Sequence, residues 1–465
     1  MFVIYLNRGF RRDGGLSSPR DPSERIFTKY IRNYLTKSNC YVDNKIYVSQ
    51  FVWNTRNVYT IFILMNISGI YGRAAAEMTI RIRHAIFVLG IFSWVAVSLS
   101  ARAGSGEFTG RIVLGATFPL TGGFETYGQS AYYGAATAVK LINAAGGVNG
   151  KELVIEWRDN RSDPEQSARD IEELTEKFKA PAILGPLLSE SCMAIRPLAE
   201  KLKVVIMSPL ATIDAATRDT EWIFRACFTN SAEANGLIAF QMNSYGAKSC
   251  GVIFDSAYAF SVELADIFAE RFQKQGGRMV GIYSLRAAGG EKDYATPLKA
   301  LATEAPDFIF APCYALEATE VIRAARELGI ATRFCGSDTW DNEMVFDASG
   351  TRLAGTSFAS SLFEQAFSYR PFQTFFTAME QAGMDNPDAQ AACAYDAVYI
   401  LARALEKGET PEAIRQGLTE VKRLPLATGR ITILPSGDTL KSVLVRVVER
   451  RGGRLIPVYG ERYDP

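Results

Sequence analysis

The chain has 465 residues, 48% of them hydrophobic and 22% charged, with a net charge of +1. That length exceeds one ordinary core and favours two or three domains, and the composition is that of a globular chain, not a disordered one. Lys and Arg outnumber Asp and Glu 14 to 5 in residues 1–103 but are outnumbered 45 to 37 afterwards, so the main body is acidic and lacks the basic surface that a nucleic-acid partner requires.

The first readable segment begins at Met78. TIRIRH at 79–84 gives a basic start, residues 85–99 form an apolar run, and ARA at 101–103 puts small residues at both positions of a cleavage site. This is the pattern of a secretory signal peptide over residues 78–103, because about 15 apolar residues fall short of the roughly 20 that span a bilayer. No cysteine follows the cleavage site, so no lipid anchor is implied. Residues 1–77, basic and rich in Tyr, Asn and Ile, read as a mis-assigned extension upstream of a start at Met78, with a translated cytoplasmic extension as the alternative.

The only histidine, His84, lies inside that signal segment. A mature chain without histidine has no Ser-His or Cys-His pair and no imidazole metal site, which argues against an ordinary hydrolase. Apart from Cys40, the cysteines are Cys192, Cys227, Cys250, Cys313, Cys335 and Cys393, with no C-x-x-C pair. Cys313 and Cys335 stand at the ends of predicted strands and are candidates for pairing, buried free thiols being the plainer reading. No cofactor or metal site emerges.

From residue 111 onward short apolar runs alternate with helical patterns, as βαβ units do. Strands are predicted at 112–118, 153–157, 182–184 and 204–207, and helices at 129–145, after SDPE at 162–165 and at 189–201. A second series has strands at 250–254, 279–284, 307–311 and 333–336, separated by helices at 261–275, 294–303 and 317–328. Helices follow at 371–382 and 388–406, and residues 429–434 and 442–448 read as a hairpin closed by PSGD at 435–438. The expected architecture is α/β, with two parallel-sheet lobes joined by a hinge that the chain crosses about three times: 110–228 with about 361–431, and 229–360 with about 432–465.

Ligands of open parallel sheets bind beyond the carboxyl ends of the strands. Those ends here carry GPLLSES at 185–191, SPLAT at 208–212 and GSDTW at 336–340, with aromatics nearby. GPLLSES has neither the lysine of a phosphate loop nor the G-x-S-x-G of a nucleophile elbow. A helix start and the hydroxyls of Ser189 and Thr212 suit a carboxylate instead, although a mere helix cap also explains a serine. Asp338, in the other lobe, suits an ammonium group, its plainer reading being a turn residue. Together they describe a trap for a zwitterion, rimmed by Tyr127, Tyr258 and Tyr314.

These segments, with GATFPLTG at 115–122, INAAGGVNG at 142–150, GEKDY at 290–294 and AARELGI at 324–330, resemble the periplasmic solute-binding proteins of the leucine/isoleucine/valine-binding type, over about residues 110–458. The resemblance implies the type I periplasmic binding fold of two Rossmann-like lobes, an amino acid ligand, a membrane permease of an ABC transporter as partner, a monomer, a periplasmic location and no catalysis. Carried onto matching positions, it implies that Ser189, Thr212 and the backbone near Leu210 bind the ligand carboxylate, that Asp338 faces the α-amino group, and that Tyr127, Tyr258 and Tyr314 line the cleft. The disulfide of the leucine-binding type is absent, its places being Ser162 and Leu188, and Asp338 stands where the type has Glu. A sensory module of the same fold, or an amide-processing enzyme, are the alternative functions.

Overall fold

The computed structural model describes residues 108–342, 345, 353–362, 369–384, 386–451 and 454–464, together with three strand segments near the N-terminus. The chain divides into two compact units, Met1–Leu99 and Ser100–Pro465. In the first, β1 (Tyr5–Asn7), β2 (Val48–Thr55) and β3 (Val58–Met65) form an antiparallel sheet in the order β1-β3-β2. The proposed signal segment, residues 78–103, lies outside the described residues.

The second unit contains two large sheets. In the first, β4 (Arg111–Phe118), β5 (Glu152–Asp159), β6 (Ala182–Leu184), β7 (Val205–Ser208) and β8 (Ile223–Arg225) run parallel in the order β5-β4-β6-β7-β8. The core of β4 is buried on both faces, which is why its sequence is an unbroken apolar run. Gly115 at its centre makes room for the terminal methyls of Ile183 and Leu174, which a Cβ there would meet at 2.6 and 2.9 Å.

The second sheet is built from β9 (Ser249–Phe254), β10 (Arg278–Ser284), β11 (Phe308–Ala311), β12 (Arg333–Gly336), β13 (Ser357–Ser360), β17 (Val443–Arg451) and β18 (Arg454–Tyr463), in the order β10-β9-β11-β12-β13-β17-β18. β9 to β13 are parallel, and β17 and β18 are added antiparallel. Both sheets therefore reverse their winding direction beside their first strand, between β4 and β6 and between β9 and β11. Such switch points leave a crevice at the strands' carboxyl ends.

The helices are α1 (Glu125–Ala144), α2 (Pro164–Lys177), α3 (Ser189–Leu202), α4 (Asn230–Tyr245), α5 (Ala259–Lys274), α6 (Ala295–Glu304), α7 (Ala315–Glu327), α8 (Arg370–Gln381), α9 (Ala389–Leu405) and α10 (Pro411–Thr419). Asp163 caps α2 by accepting the Glu165 N–H at 2.8 Å, with Pro164 in the first turn. α1 begins four residues before its sequence pattern, because Ser162 Oγ holds the Phe124 N–H at 3.0 Å and accommodates an early start. One apolar core packs α1, α8, α9 and the first sheet, and a second packs α4, α5, α7 and the second sheet.

The expected hairpin of 429–434 with 442–448 is not formed. β15 (Gly429–Ile433) pairs with β14 (Leu424–Leu426) and with the two-residue β16 (Thr439–Leu440), and β17 joins the second sheet. The PSGD turn does reverse the chain, but the apolar residues of β17 find a buried position beside β13. The chain thus passes between the two layers after β8, after β13 and after β16. Lys441, in the third passage, donates to Ala226 O in the first at 3.3 Å.

All six described cysteines are free and buried, so Cys313 and Cys335 are not paired. No described helix is long and apolar enough to cross a membrane.

Helices α1 and α9 approach tightly at Gly134, where a Cβ would lie 2.0 Å from Ala391 O of α9. Gly134→Val is expected to destabilise the protein by about 1–3 kcal/mol through overpacking, measured by urea unfolding; wild-type stability would show that the two helices separate without cost.

Candidate functional site

The first half of the site is held by backbone and hydroxyl chemistry at the ends of β6 and β7. Gly185 takes φ +97° against Thr117 O, where a Cβ would fall at 2.5 Å. Ser208 Oγ donates to Pro186 O at 2.7 Å and accepts the Ala211 N–H at 3.1 Å, tying the GPLLSES turn to the SPLAT loop. Ser189 is the first residue of α3, and its Oγ accepts the Ile213 N–H at 3.4 Å; Leu188, not a serine, occupies the capping position. Ser191 Oγ is buried without a hydrogen-bond partner.

Arg225 at the end of β8 fixes the SPLAT loop from below. Its guanidinium, 1% exposed, donates to Ala211 O at 2.8 Å, Ile213 O at 2.9 Å and Thr217 Oγ1 at 2.9 Å, and pairs with Asp438 at 3.0 Å. Leu210 and Thr212 are thereby set facing the second sheet. The sequence reading missed this arginine, whose signal was a charge closing an apolar run.

The second half rests on the turn after β12. A Cβ at Gly336 would lie 2.1 Å from the Trp340 ring, so glycine permits that ring to fold beneath the 3-10 turn Asp338–Trp340. The Asp338 N–H donates to Glu233 Oε1 of α4 at 2.8 Å. Glu233 is fully buried, and neither its Oε2 nor Asp338 Oδ1 has a hydrogen-bond partner. Two ionised carboxylates so placed would carry a large desolvation cost. Burial pushes the Asp338 carboxyl up to about 7 and, together with the nearby Asp338 charge, pushes Glu233 well above the usual range. The two acids titrate as a pair.

Hydrogen bonds join the halves directly. Tyr127 Oη donates to Thr339 O at 2.9 Å and accepts the Ala315 N–H at 3.0 Å. Glu190 of α3 accepts from Tyr314 Oη at 2.9 Å and from the Phe260 N–H at 3.3 Å. Burial pushes both tyrosine hydroxyls far above their usual range, so they act as neutral hydrogen-bonding groups.

Between the halves lies a cavity of about 30 Å³, the scale of one or two water molecules. It is lined by Ser189, Leu210, Thr212, Tyr127, Tyr314 and Asp338 of the predicted set, and by Leu187, Leu188, Phe260, Thr339 and Gln390. Tyr258 is not in the lining: its ring packs edge-on against Tyr314 and Phe124, centroids 4.9 and 5.8 Å away, and supports the wall from behind. Gln390, Glu190 and Glu233 were missed, as polar helix residues that a pattern reading assigns to solvent. A larger groove of about 480 Å³ between α1 and α9 contains no buried unpartnered side-chain polar atom. Among the described residues no acidic or cysteine cluster is arranged to hold a metal.

The titration of Asp338 has a signed effect on stability. A carboxyl near 3.9 unfolded and about 7 folded makes the native state bind the extra proton between those values, so stability falls as pH rises from 4 to 7. Asp338→Asn lacks this loss, so its stability relative to wild type is expected to rise from pH 4.5 to pH 8 in urea unfolding; a difference independent of pH would remove Asp338 as the titrating group.

The sequence profile of the periplasmic binding protein family matches residues 111–450. The Leu/Ile/Val-binding protein BraC3 of Rhizobium johnstonii is 26% identical over 336 residues, 70% of this chain and 88% of that protein. The leucine-binding protein LivK of Thermotoga maritima superposes with a TM-score of 0.70 at 26% identity, over 76% of this chain and 99% of its own. A solute-binding protein of an ABC transporter from Rhodopseudomonas palustris, solved with 3,4-dihydroxybenzoic acid, shares the fold at 21% identity and a TM-score of 0.68, over 76% of this chain and 97% of its own. With two switch-point crevices meeting at one cavity across three chain passages, the protein has the type I periplasmic binding fold and belongs to the periplasmic binding protein family.

Proposed function

We propose that the protein is the exported substrate-binding component of an ABC transporter that captures an amino acid between its two sheet layers and delivers it to a membrane permease, without chemistry of its own. One observation carries this reading. Ser189 and Thr212 hydroxyls and the start of α3 line one side of the cavity, and Asp338, whose carboxyl Oδ1 has no hydrogen-bond partner, lines the other. The first side suits a carboxylate and the second an ammonium, which is the charge pattern of an amino acid's backbone.

Leucine, isoleucine and valine in the name of the Rhizobium relative, and leucine in that of the Thermotoga structure, support the ligand class. The two layers act as lobes, one from about residues 110–228 with 361–431 and the other from 229–360 with 432–465, moving about the three passages. A ligand touching both favours the closed arrangement by its differential affinity, and the permease reads that arrangement. The segment at 78–103 directs export to the periplasm in this reading, and mass spectrometry of the purified mature protein is expected to find its N-terminus just after Ala103.

Thermal-shift screening of the twenty L-amino acids alongside 3,4-dihydroxybenzoate is expected to find stabilisation by amino acids. Ser189→Ala should weaken the best of them by about tenfold to a hundredfold, the scale of a hydrogen bond to a charged group, while the unliganded protein stays folded with a modestly lowered melting temperature because the Ile213 N–H loses its acceptor. Stabilisation by the benzoate alone, or by nothing, would sink the amino acid reading.

A further inference from the structure

Ser189 and Thr212 facing a carboxylate and Asp338 facing an ammonium leave one polar lining group without a task. Gln390 lines the same cavity, is only 4% exposed, and its Oε1 has no hydrogen-bond partner. It is also held firmly. It stands in the first turn of α9, where Asp388 caps the helix by accepting the Ala391 N–H at 2.9 Å and is itself bonded by Ser130 Oγ of α1. The tight approach of α1 at Gly134 leaves that turn little freedom to carry the amide elsewhere.

A buried carboxamide oxygen without a partner is a cost to the protein that a matching ligand donor removes. Rotating the amide by half a turn would exchange an acceptor for donors at the cavity wall, and either face requires a polar counterpart. The apolar side chains that share the lining with it are Leu187, Leu188, Leu210 and Phe260. An aliphatic ligand side chain that fills the cavity would satisfy those apolar groups but displace the water that could otherwise reach Gln390 Oε1, leaving it unpaired.

We propose that Gln390 sets the ligand class, selecting L-α-amino acids whose side chain carries a hydroxyl or carboxamide over aliphatic ones of the same shape. This rests on the amino acid reading above, with Gln390 as a specificity-determining residue that touches the side chain. The apolar neighbours favour a short side chain with one polar end, as in threonine.

Isosteric pairs test it. Calorimetry on the wild-type protein with L-threonine against L-valine, and L-asparagine against L-leucine, is expected to show the polar member binding at least tenfold more tightly in the pair that binds better, because a site built to hydrogen-bond a group discriminates against the analogue lacking it. Gln390→Met, similar in length and apolar, is expected to abolish or reverse that preference while retaining binding of the aliphatic member. Valine or leucine binding as tightly as its polar counterpart in the wild type overturns the inference and leaves the amino acid reading intact. An unchanged ratio in a folded Gln390→Met protein overturns it too. Failure of every amino acid to bind removes both. The wild-type comparison decides the matter even if the variant does not fold.

Discussion

A single buried guanidinium organises the first half of this protein. Arg225 ends β8, and taking its charge out of water costs several kcal/mol, which hydrogen bonds from its terminal nitrogens and the nearby Asp438 carboxylate offset. Its side chain binds the carbonyls of the SPLAT loop, while its own backbone N–H donates to Gly437 O at 3.0 Å and its carbonyl accepts from Thr439 Oγ1. Site loop, sheet edge and third chain passage are consequently one unit. The positions of Leu210 and Thr212 follow from how that one charge is satisfied.

The second half obeys the same rule with the opposite sign. Glu233 and Asp338 sit where two full charges are untenable, and Lys441, a cation that acts on Asp338, hydrogen-bonds to Ala226 O and the Cys393 thiol instead. The pair is left short of positive charge on the side of the cavity. Its neighbours do not supply it, since Asp341 is engaged by Arg446 at 2.8 Å. Across the cavity, Tyr127 and Glu190 join the halves by directional hydrogen bonds, beside the packing of Phe124 and Tyr127 against Tyr258 and Tyr314.

Legibility in the sequence tracks periodicity. The strands 182–184 and 333–336 are found as read, because parallel strands buried on both faces are apolar runs between turn residues. α4 went unassigned: its buried positions, among them Asn230, Glu233, Gly236, Leu237, Ile238 and Gln241, surround the helix and leave no stripe to detect. β8 and β16, three and two residues long, are too short to show any period. Ser189, Thr212 and Asp338 were readable because strand ends of open sheets are where ligands gather. Gln390 was not, although a lone polar residue among the alanines of AQAACA is itself a sign that no room exists there for solvent.

The six thiols bear on how such a chain reaches its native state. Burial pushes Cys192 up to about 11 and Cys335 to about 12, so in the folded protein they are almost never thiolates and are poor nucleophiles. Unfolded, each returns to an ordinary thiol near 8.5, open to mispairing in an oxidising compartment. Without the cross-link whose places are taken by Ser162 and Leu188, nothing in the native fold is gained from oxidation. For the exported chain of the proposed function, productive folding is then a race in which packing has to hide sulfur faster than oxidants can find it.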